Sequence, residues 1–233
     1  MSSTRDIGGI VFDKDGTLFD FHTTWAGWTL RLMQSLSETH GVPMQRLADA
    51  VDFDLVAARI SPSSPLIAAT NRDCAEALAA ALPGIDIDAL EREMMLSSAD
   101  VPLAPSVPLS PFLVGLRGRG LRLGVMTNDT EYGAHAHLRS AGVQDLFDFI
   151  AGFDSGHGAK PAPDPLLAFA RAAGVTPERV VMVGDSTHDL IAGRRAGMHT
   201  IGVLTGIAAQ DELAPHADVV LPDIGHIPAW LDA

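Results

Sequence analysis

The 233-residue sequence has one cysteine, two lysines and a formal net charge of −13. A single cysteine, Cys74, cannot form an intramolecular disulfide bond, and we expect it to be a small core residue on a helix. Binding to nucleic acid or to an anionic membrane surface requires clustered lysine and arginine, so the charge argues against both partners. A small phosphorylated molecule stays possible, because a metal ion and a few local charges can outweigh the overall field.

Long hydrophobic runs are also missing. No apolar stretch reaches the roughly 18 residues of a membrane-spanning helix. Residues 1–6 lack the basic flank and the apolar stretch of a signal peptide, so we expect a cytoplasmic protein. Hydrophobic residues make up 47% of the chain, which predicts a globular protein with one large domain or two unequal ones.

Four apolar, β-prone segments each end in a polar group. They cover residues 7–12, 121–126, 180–183 and 199–204. Helical patterns lie between them, such as residues 164–173 and 187–196, and this alternation predicts an α/β fold with a doubly wound parallel sheet. Because open sheets of this kind bind ligands at the carboxyl ends of their strands, we expect the polar groups to form one site.

Residues 20–107 show helical periodicity and almost no strand signal. Predicted helices start at Thr23 or Thr24 and end at Gly41, follow Pro43, and cover residues 65–82 and 86–96. We therefore predict a core domain of residues 1–19 and 108–233 with an inserted helical domain of residues 20–107 that covers the catalytic end. Trp25 and Trp28 are expected to belong to the core of this insertion.

Asp13 and Asp15 follow the first predicted strand and are two residues apart, so their side chains can point the same way. Two close carboxylates favour a bound cation, and Mg²⁺ prefers oxygen ligands and accompanies phosphates. With the metal bound, Asp13 can attack phosphorus and Asp15 can act as general acid and base. In isolation, the same residues are equally typical of a solvated turn that caps a helix.

Three further polar groups belong to the pattern: two directly follow predicted strands, and the third lies just before the predicted helix of residues 164–173. Thr127 and Asn128 can hold a phosphoryl oxygen, and Lys160, one of the two lysines, can neutralise phosphoryl charge. Asp185 can bind Mg²⁺ directly, and Asp189, one helical turn later, can bind it through water or orient Lys160. Each group alone also fits a turn or a helix cap, but their joint occurrence at strand ends favours a phosphoryl-transfer site.

Together these motifs resemble those of the haloacid dehalogenase superfamily over the whole chain, and the insertion resembles a helical type 1 cap. The residues that carry the resemblance are Asp13-Lys14-Asp15-Gly16-Thr17, Thr127, Lys160 and Gly184-Asp185-Ser186-Thr187-His188-Asp189. Within the superfamily the chain is most similar to the phosphoglycolate phosphatase group, through Leu18-Phe19-Asp20 and through Gly184-Asp185 followed by Ala196-Gly197-Met198.

The resemblance implies a Rossmann-like core and an aspartyl-phosphate intermediate on Asp13. It also implies one Mg²⁺ held by the Asp13 carboxylate, by the backbone carbonyl of Asp15 and by Asp185. Lys14 departs from the Leu or Met that the group more often has, and we expect its side chain to point away from both carboxylates.

The insertion contains no lysine, which argues against relatives that use a cap lysine, such as phosphonatases and most sugar-phosphate mutases. The presence of Asp15 argues against the dehalogenases. The favoured hypothesis is a Mg²⁺-dependent phosphatase of a small phosphorylated metabolite, with 2-phosphoglycolate as the leading named substrate. The alternatives are a sugar-phosphate phosphatase or phosphomutase, and a non-catalytic binding module of the same fold.

The insertion must supply the pocket for the leaving group. Arg31, Arg59 and Arg72 can each bind a substrate carboxylate, and Arg59 is preferred because it precedes the rigid polar loop of residues 61–65. His22 lies near the predicted hinge and can also face the site. The oligomeric state is left open.

Overall fold

The computed structural model describes residues 6–67 and 69–233. Its central feature is a six-stranded parallel sheet. The strands are β1 (Gly9–Phe12), β4 (Arg122–Met126), β5 (Phe149–Ala151), β6 (Val180–Gly184), β7 (His199–Val203) and β8 (Val219–Leu221), in the order β5-β4-β1-β6-β7-β8. Because β4 and β6 flank β1, the segments that follow these three strands lie side by side.

Helices cover both faces of the sheet. They are α5 (Leu109–Gly118), α6 (Glu131–Ser140), α7 (Asp164–Ala173), α8 (Thr187–Arg195), α9 (Gln210–Leu213) and α10 (Ile227–Leu231). Alternate strand residues face opposite layers: Ile10 and Phe12 pack in the cluster that contains α5, whereas Val11 packs in the cluster that contains α7 and α8. This architecture confirms the predicted α/β doubly wound sheet.

Between β1 and α5 lies a mainly helical region, which we call the cap segment (residues 20–107). Its elements are α1 (Phe21–His40), α2 (Met44–Ala50), β2 (Phe53–Asp54), β3 (Arg59–Ile60), α3 (Asn71–Ala79) and α4 (Ile87–Ser98). Residues of all four helices, such as Met33, Leu47, Leu78 and Met94, share one apolar cluster. The segment therefore buries its own core next to the sheet.

The first and third cap helices begin at different residues from those predicted. Helix α1 begins at Phe21, because the Asp20 side chain accepts a hydrogen bond from the Thr23 N–H. Helix α3 begins at Asn71 rather than Pro65, because Thr70 and Asp73 form a reciprocal capping box there. The short antiparallel pair β2–β3 was not predicted, and its two-residue strands leave little periodicity to read. Cys74 is buried in α3, as expected.

Within residues 6–67 and 69–233, no helix combines the length and the apolar character needed to cross a lipid bilayer.

Candidate active site

The site lies at the carboxyl ends of β1, β4 and β6. Asp13 follows β1, and its N–H donates to the Val183 carbonyl of β6 at 2.8 Å, which fixes the point where the chain leaves the sheet. The side chain of Asp13 is buried, and its Oδ1 lies 2.6 Å from Nζ of Lys160. The two residues that sequence patterns selected as nucleophile and charge-neutralising cation thus form a direct ion pair.

Lys160 is held in place from three sides. Its Nζ lies 2.6 Å from Oδ1 of Asp189 as well as from Asp13. Its backbone N–H donates to Oδ1 of Asn128 at 2.9 Å, and the Asn128 amide donates back to the Lys160 carbonyl at 3.0 Å. Burial lowers the pKa of Lys160, but the Asp13 and Asp189 carboxylates more than offset this, so its pKa is raised and the ammonium stays charged.

Asn128, predicted to bind phosphate, thus directs its side chain to the backbone of Lys160 in this structure. The neighbouring Thr127 is buried, and its N–H donates to the Ala151 carbonyl at 3.1 Å. Its hydroxyl oxygen accepts a hydrogen bond from the Asp129 N–H at 3.1 Å, which shapes the turn after β4. Both residues line the same cleft as Asp13 and Lys160.

Asp185 follows β6 and is crowded by backbone on two sides. Its Oδ1 accepts a hydrogen bond from the Thr17 hydroxyl at 3.2 Å. A Cβ added to Gly16 would lie 2.3 Å from Oδ2 of Asp185, and one added to Gly206 would lie 1.7 Å from it. Both positions therefore require glycine, and Gly16 also has a positive φ of 82°.

Asp13, Asp185 and Asp189 bring carboxylate oxygens within 4.8 Å of one another, and all three are buried. Burial is the main cause that raises the pKa of Asp13 to about 7, with Lys160 acting in the opposite direction. Burial likewise raises the pKa of Asp185 well above its usual range, and the Asp13 carboxylate adds to the effect. Lys160 alone does not balance these carboxylates.

Asp15 stands apart from that cluster, and the expectation for Lys14 was wrong. The Lys14 side chain is completely buried, and its Nζ lies 2.5 Å from Oδ2 of Asp15 instead of pointing away. The other oxygen, Oδ1, accepts a hydrogen bond from the Trp25 indole N–H at 2.8 Å. A buried ammonium needs ion-pair or hydrogen-bond partners, and the Asp15 carboxylate is one of those that Lys14 contacts.

Two residues that sequence reasoning missed complete this arrangement. The Lys14 Nζ also lies 3.1 Å from Oδ2 of Asp129 and 2.9 Å from Nδ1 of His137. The His137 Nε2 atom is 2.8 Å from the Ser98 carbonyl of the cap segment. These partners assign the neutral imidazole with its proton on Nε2, which donates to Ser98 while Nδ1 accepts from Lys14.

Lys14 could have been found from composition. The scarcity of lysine that distinguished Lys160 applies equally to Lys14. His137 lies on α6, a helix that the sequence patterns did not identify, and it follows Asp129 by eight residues. No spacing signal connects it to the motifs.

The predicted substrate-binding residues are not brought into the cleft. Arg59 is exposed on β3, and Arg31 is exposed on α1. Arg72 forms ion pairs with Glu76, Asp88 and Glu91 on the outer surface of the cap segment. His22 is half-buried and packs edge-to-face on Phe21. Among the described residues that line the cleft, none of these four occurs, whereas Trp25 and Trp28 both do.

Comparison with known proteins agrees with this geometry. Residues 7–197 match the family model of haloacid dehalogenase-like hydrolases. The chain is 32% identical over 220 residues to "Probable phosphatase IndB" of Dickeya dadantii, covering 92% of this chain and 88% of that protein. It is 30% identical over 226 residues to phosphoglycolate phosphatase of Xanthomonas campestris pv. campestris, covering 95% and 96%.

One solved structure illustrates the shared fold. CbbY from Rhodobacter sphaeroides, in complex with phosphate, aligns with a TM-score of 0.73 over 97% of this chain and 100% of its own, at 22% identity. At that identity the likeness concerns the fold alone.

Proposed function

Because this chain belongs to the haloacid dehalogenase-like hydrolase family, we propose that it is a Mg²⁺-dependent phosphatase of a small phosphorylated metabolite, with Asp13 as its nucleophile. The observation that supports this best is the ion pair of Asp13 with Lys160 beside Asp185, at the end of the central strand. It combines a carboxylate nucleophile, a fixed cation and an acidic cluster in one buried place.

The acidic cluster fits a divalent cation. Three buried carboxylates provide only hard oxygen donors, and Lys160 supplies a single positive charge among them. Burial first, and neighbouring carboxylates second, raise the pKa values of Asp13 and Asp185, and a bound cation would relieve both effects. Mg²⁺ would be held by Asp13, by Asp185 and by the backbone carbonyl of Asp15. Bound there, the ion supplies positive charge that stabilises the phosphoryl oxygens during transfer.

The proposed reaction has two steps. First, a carboxylate oxygen of Asp13 attacks phosphorus, the bond from phosphorus to the leaving oxygen breaks, and Asp15, as the general acid, gives a proton to that oxygen. Second, Asp15 takes a proton from water, the resulting hydroxide attacks the aspartyl-phosphate, and inorganic phosphate leaves Asp13. Lys160 stays charged throughout and balances the phosphoryl oxygens.

2-Phosphoglycolate is the first substrate to assay, because the Xanthomonas relative carries the name of that activity. Phosphate release should require Mg²⁺ and should fall by about 10³-fold or more in Asp13→Asn, which keeps the shape of the side chain but removes the nucleophile. The matched control is Asp49→Asn. Asp49 is exposed and accepts a hydrogen bond from Gln45, away from the cleft.

The assay in H₂¹⁸O separates hydrolysis from transfer to a sugar. Hydrolysis through Asp13 places ¹⁸O from water into released phosphate, whereas a phosphomutase returns the group to its substrate. Full activity in Asp13→Asn, with circular dichroism unchanged, would overturn the proposed function.

A further inference from the structure

The cleft above Asp13 has two walls of different chemistry. The core wall carries the aspartates and Lys160, whereas the cap wall is mostly apolar. Aromatic and aliphatic side chains dominate the cap wall, among them Phe21, Trp28, Ile60, Leu66 and Met94. Since the core wall holds the phosphoryl group, the leaving group must lie against the cap wall.

The polar side chains of the cap wall are uncharged, and three of them already donate a hydrogen bond within the protein. The Thr29 hydroxyl donates to the Trp25 carbonyl at 3.0 Å, and the Ser98 hydroxyl donates to the Met95 carbonyl at 3.1 Å. The Asn71 amide donates to the Glu91 carbonyl at 3.1 Å. A carboxylate placed here would therefore lose its water without gaining strong donors.

The cations of the cap segment lie elsewhere. Arg31, Arg46, Arg59 and Arg92 are exposed, and Arg72 is bound by three carboxylates. None of them lines the cleft in the described part of the chain. The bidentate arginine that usually recognises a carboxylate is thus missing from this wall.

The charge of the site also opposes a second anionic group on the substrate. Five aspartates line the cleft, namely Asp13, Asp15, Asp129, Asp185 and Asp189. The two lysines that face them are already ion-paired: Lys14 with Asp15 and Asp129, and Lys160 with Asp13 and Asp189. Among the described residues that line the cleft, the other titratable side chains are His188 of α8, on the core wall, and the buried thiol of Cys74 of α3. A carboxylate on the leaving group would add negative charge to an excess that Mg²⁺ only partly offsets.

We propose that the preferred substrate is a phosphate monoester whose leaving group is an uncharged alcohol with a largely apolar body. This inference rests on the proposed phosphatase function and specifies its substrate class. Apolar burial against Phe21, Trp28 and Ile60 supplies the binding free energy, whereas a carboxylate on the leaving group weakens transition-state binding.

Three esters of nearly equal size test the inference: 2-phosphoglycolate, its neutral primary amide 2-phosphoglycolamide, and 2-methylpropyl phosphate. The first two differ mainly in charge, and the third replaces the carboxylate with an apolar group. We expect kcat/KM of both neutral esters to exceed that of 2-phosphoglycolate by about tenfold or more. Faster turnover of 2-phosphoglycolate than of both neutral esters would overturn this inference and leave the proposed phosphatase function standing.

Failure of the proposed function has a different signature. All three esters would then show no Mg²⁺-dependent turnover, or turnover that persists in Asp13→Asn.

Two variants check the cap wall itself. Asn71→Arg should shift the kcat/KM ratio about tenfold toward 2-phosphoglycolate by adding the missing cation. Arg59→Ala should leave that ratio unchanged, and a selective loss of 2-phosphoglycolate turnover in this variant would overturn the inference even if Asn71→Arg fails to fold.

Discussion

The ammonium of Lys14 lies 2.5 Å from Oδ2 of Asp15, while the indole N–H of Trp25 donates to Oδ1 of the same carboxylate at 2.8 Å. Lys14 belongs to the core and Trp25 to the cap segment. The proposed general acid is thus held by one partner from each part of the molecule. Its orientation depends on both the strand end and the position of α1.

Lys14→Met should impair protonation of the leaving group, because Asp15 loses the cation that fixes Oδ2. We expect kcat/KM for an alkyl phosphate to fall by about 10²-fold, within the usual contribution of general acid catalysis. For 4-nitrophenyl phosphate, whose leaving group needs little protonation, the decrease should be much smaller. Steady-state kinetics on both substrates measure the difference.

Equal losses on the two substrates would show that Lys14 supports the fold and not the orientation of Asp15. Removing one partner of a buried ion pair also leaves carboxylates unpaired. The double variant Lys14→Met with Asp129→Asn removes one of the two unpaired carboxylates together with the lysine. If this better-balanced protein also loses more activity on the alkyl phosphate than on 4-nitrophenyl phosphate, unfolding is not the cause of the loss.

Trp25→Phe removes the indole N–H and keeps an aromatic ring beside Trp28 and His137. Loss of a hydrogen bond to a charged group corresponds to about 1.5–3 kcal/mol. We therefore expect kcat/KM on alkyl phosphates to fall by at least tenfold, again with a smaller effect on 4-nitrophenyl phosphate. Trp230→Phe is the matched variant, since Trp230 lies on α10 and packs edge-to-face on His199, outside the set of residues that line the cleft, and it should keep the parental leaving-group dependence.

His137 should make the folded protein sensitive to mild acid. Burial, followed by the charge of Lys14, lowers the pKa of His137 in the folded state. As the pH falls through about 6.5, the unfolded chain binds a proton that the folded protein does not yet accept. The contribution of His137 to the free energy of unfolding should therefore decrease as the pH falls below that value. Asp13 and Asp185, whose pKa values are raised in the folded state, contribute in the opposite direction, so the effect of His137 is read from the difference between the parent protein and a His137 variant.

Urea denaturation at pH 7.5 and at pH 5.5 measures this effect. His137→Gln retains an acceptor for Lys14 and a donor for Ser98 but does not titrate, so its stability should decline less over the same range. A decline as large as that of the parent protein would contradict the assignment.

Asp185→Asn should raise the thermal stability of the metal-free protein, because a buried carboxylate with a raised pKa becomes a neutral amide. It should also abolish stabilisation by Mg²⁺, which for the parent protein amounts to about 2.7 kcal/mol at 100-fold excess over Kd. Differential scanning calorimetry with Mg²⁺ and with EDTA tests both effects. Asp49→Asn should behave like the parent protein, and a Mg²⁺ response retained in Asp185→Asn would contradict the role of Asp185.

The central strands were predictable because both of their faces are buried. Strands β1 and β6 are continuous apolar runs, whereas β4 and β7 are apolar after polar first residues, and each of the four agrees with its prediction within two residues. Strands β5 and β8 lie at the two edges of the sheet and have three residues each, so their partly buried side chains gave no comparable signal. Edge strands need tertiary partners to be recognised.

The site residues that could be predicted are those whose place depends only on where a strand ends in the sequence. Asp13, Thr127 and Asp185 directly follow strand ends, and the parallel sheet brings such positions together. The environment of Asp15 was not predictable, because Lys14, Trp25 and His137 come from three elements whose mutual packing is absent from any local pattern. The substrate-facing prediction of Arg59 depended on loop composition, which does not determine which side of a short strand faces the cleft.

The central position of β1 also affects how the protein folds during its synthesis. This strand is synthesised early, yet its partner β4 follows only after the cap segment and α5, and its partner β6 only after α6, β5 and α7 as well. Pairing so distant in sequence makes closure of the sheet a slow folding event compared with formation of local helices. Asp13 therefore has neither its cation nor its acidic neighbours until residues 160–189 have left the ribosome, and a chain truncated before that point cannot assemble the site. Catalytic activity thus reports that the sheet has formed at least as far as β6 and the start of α8.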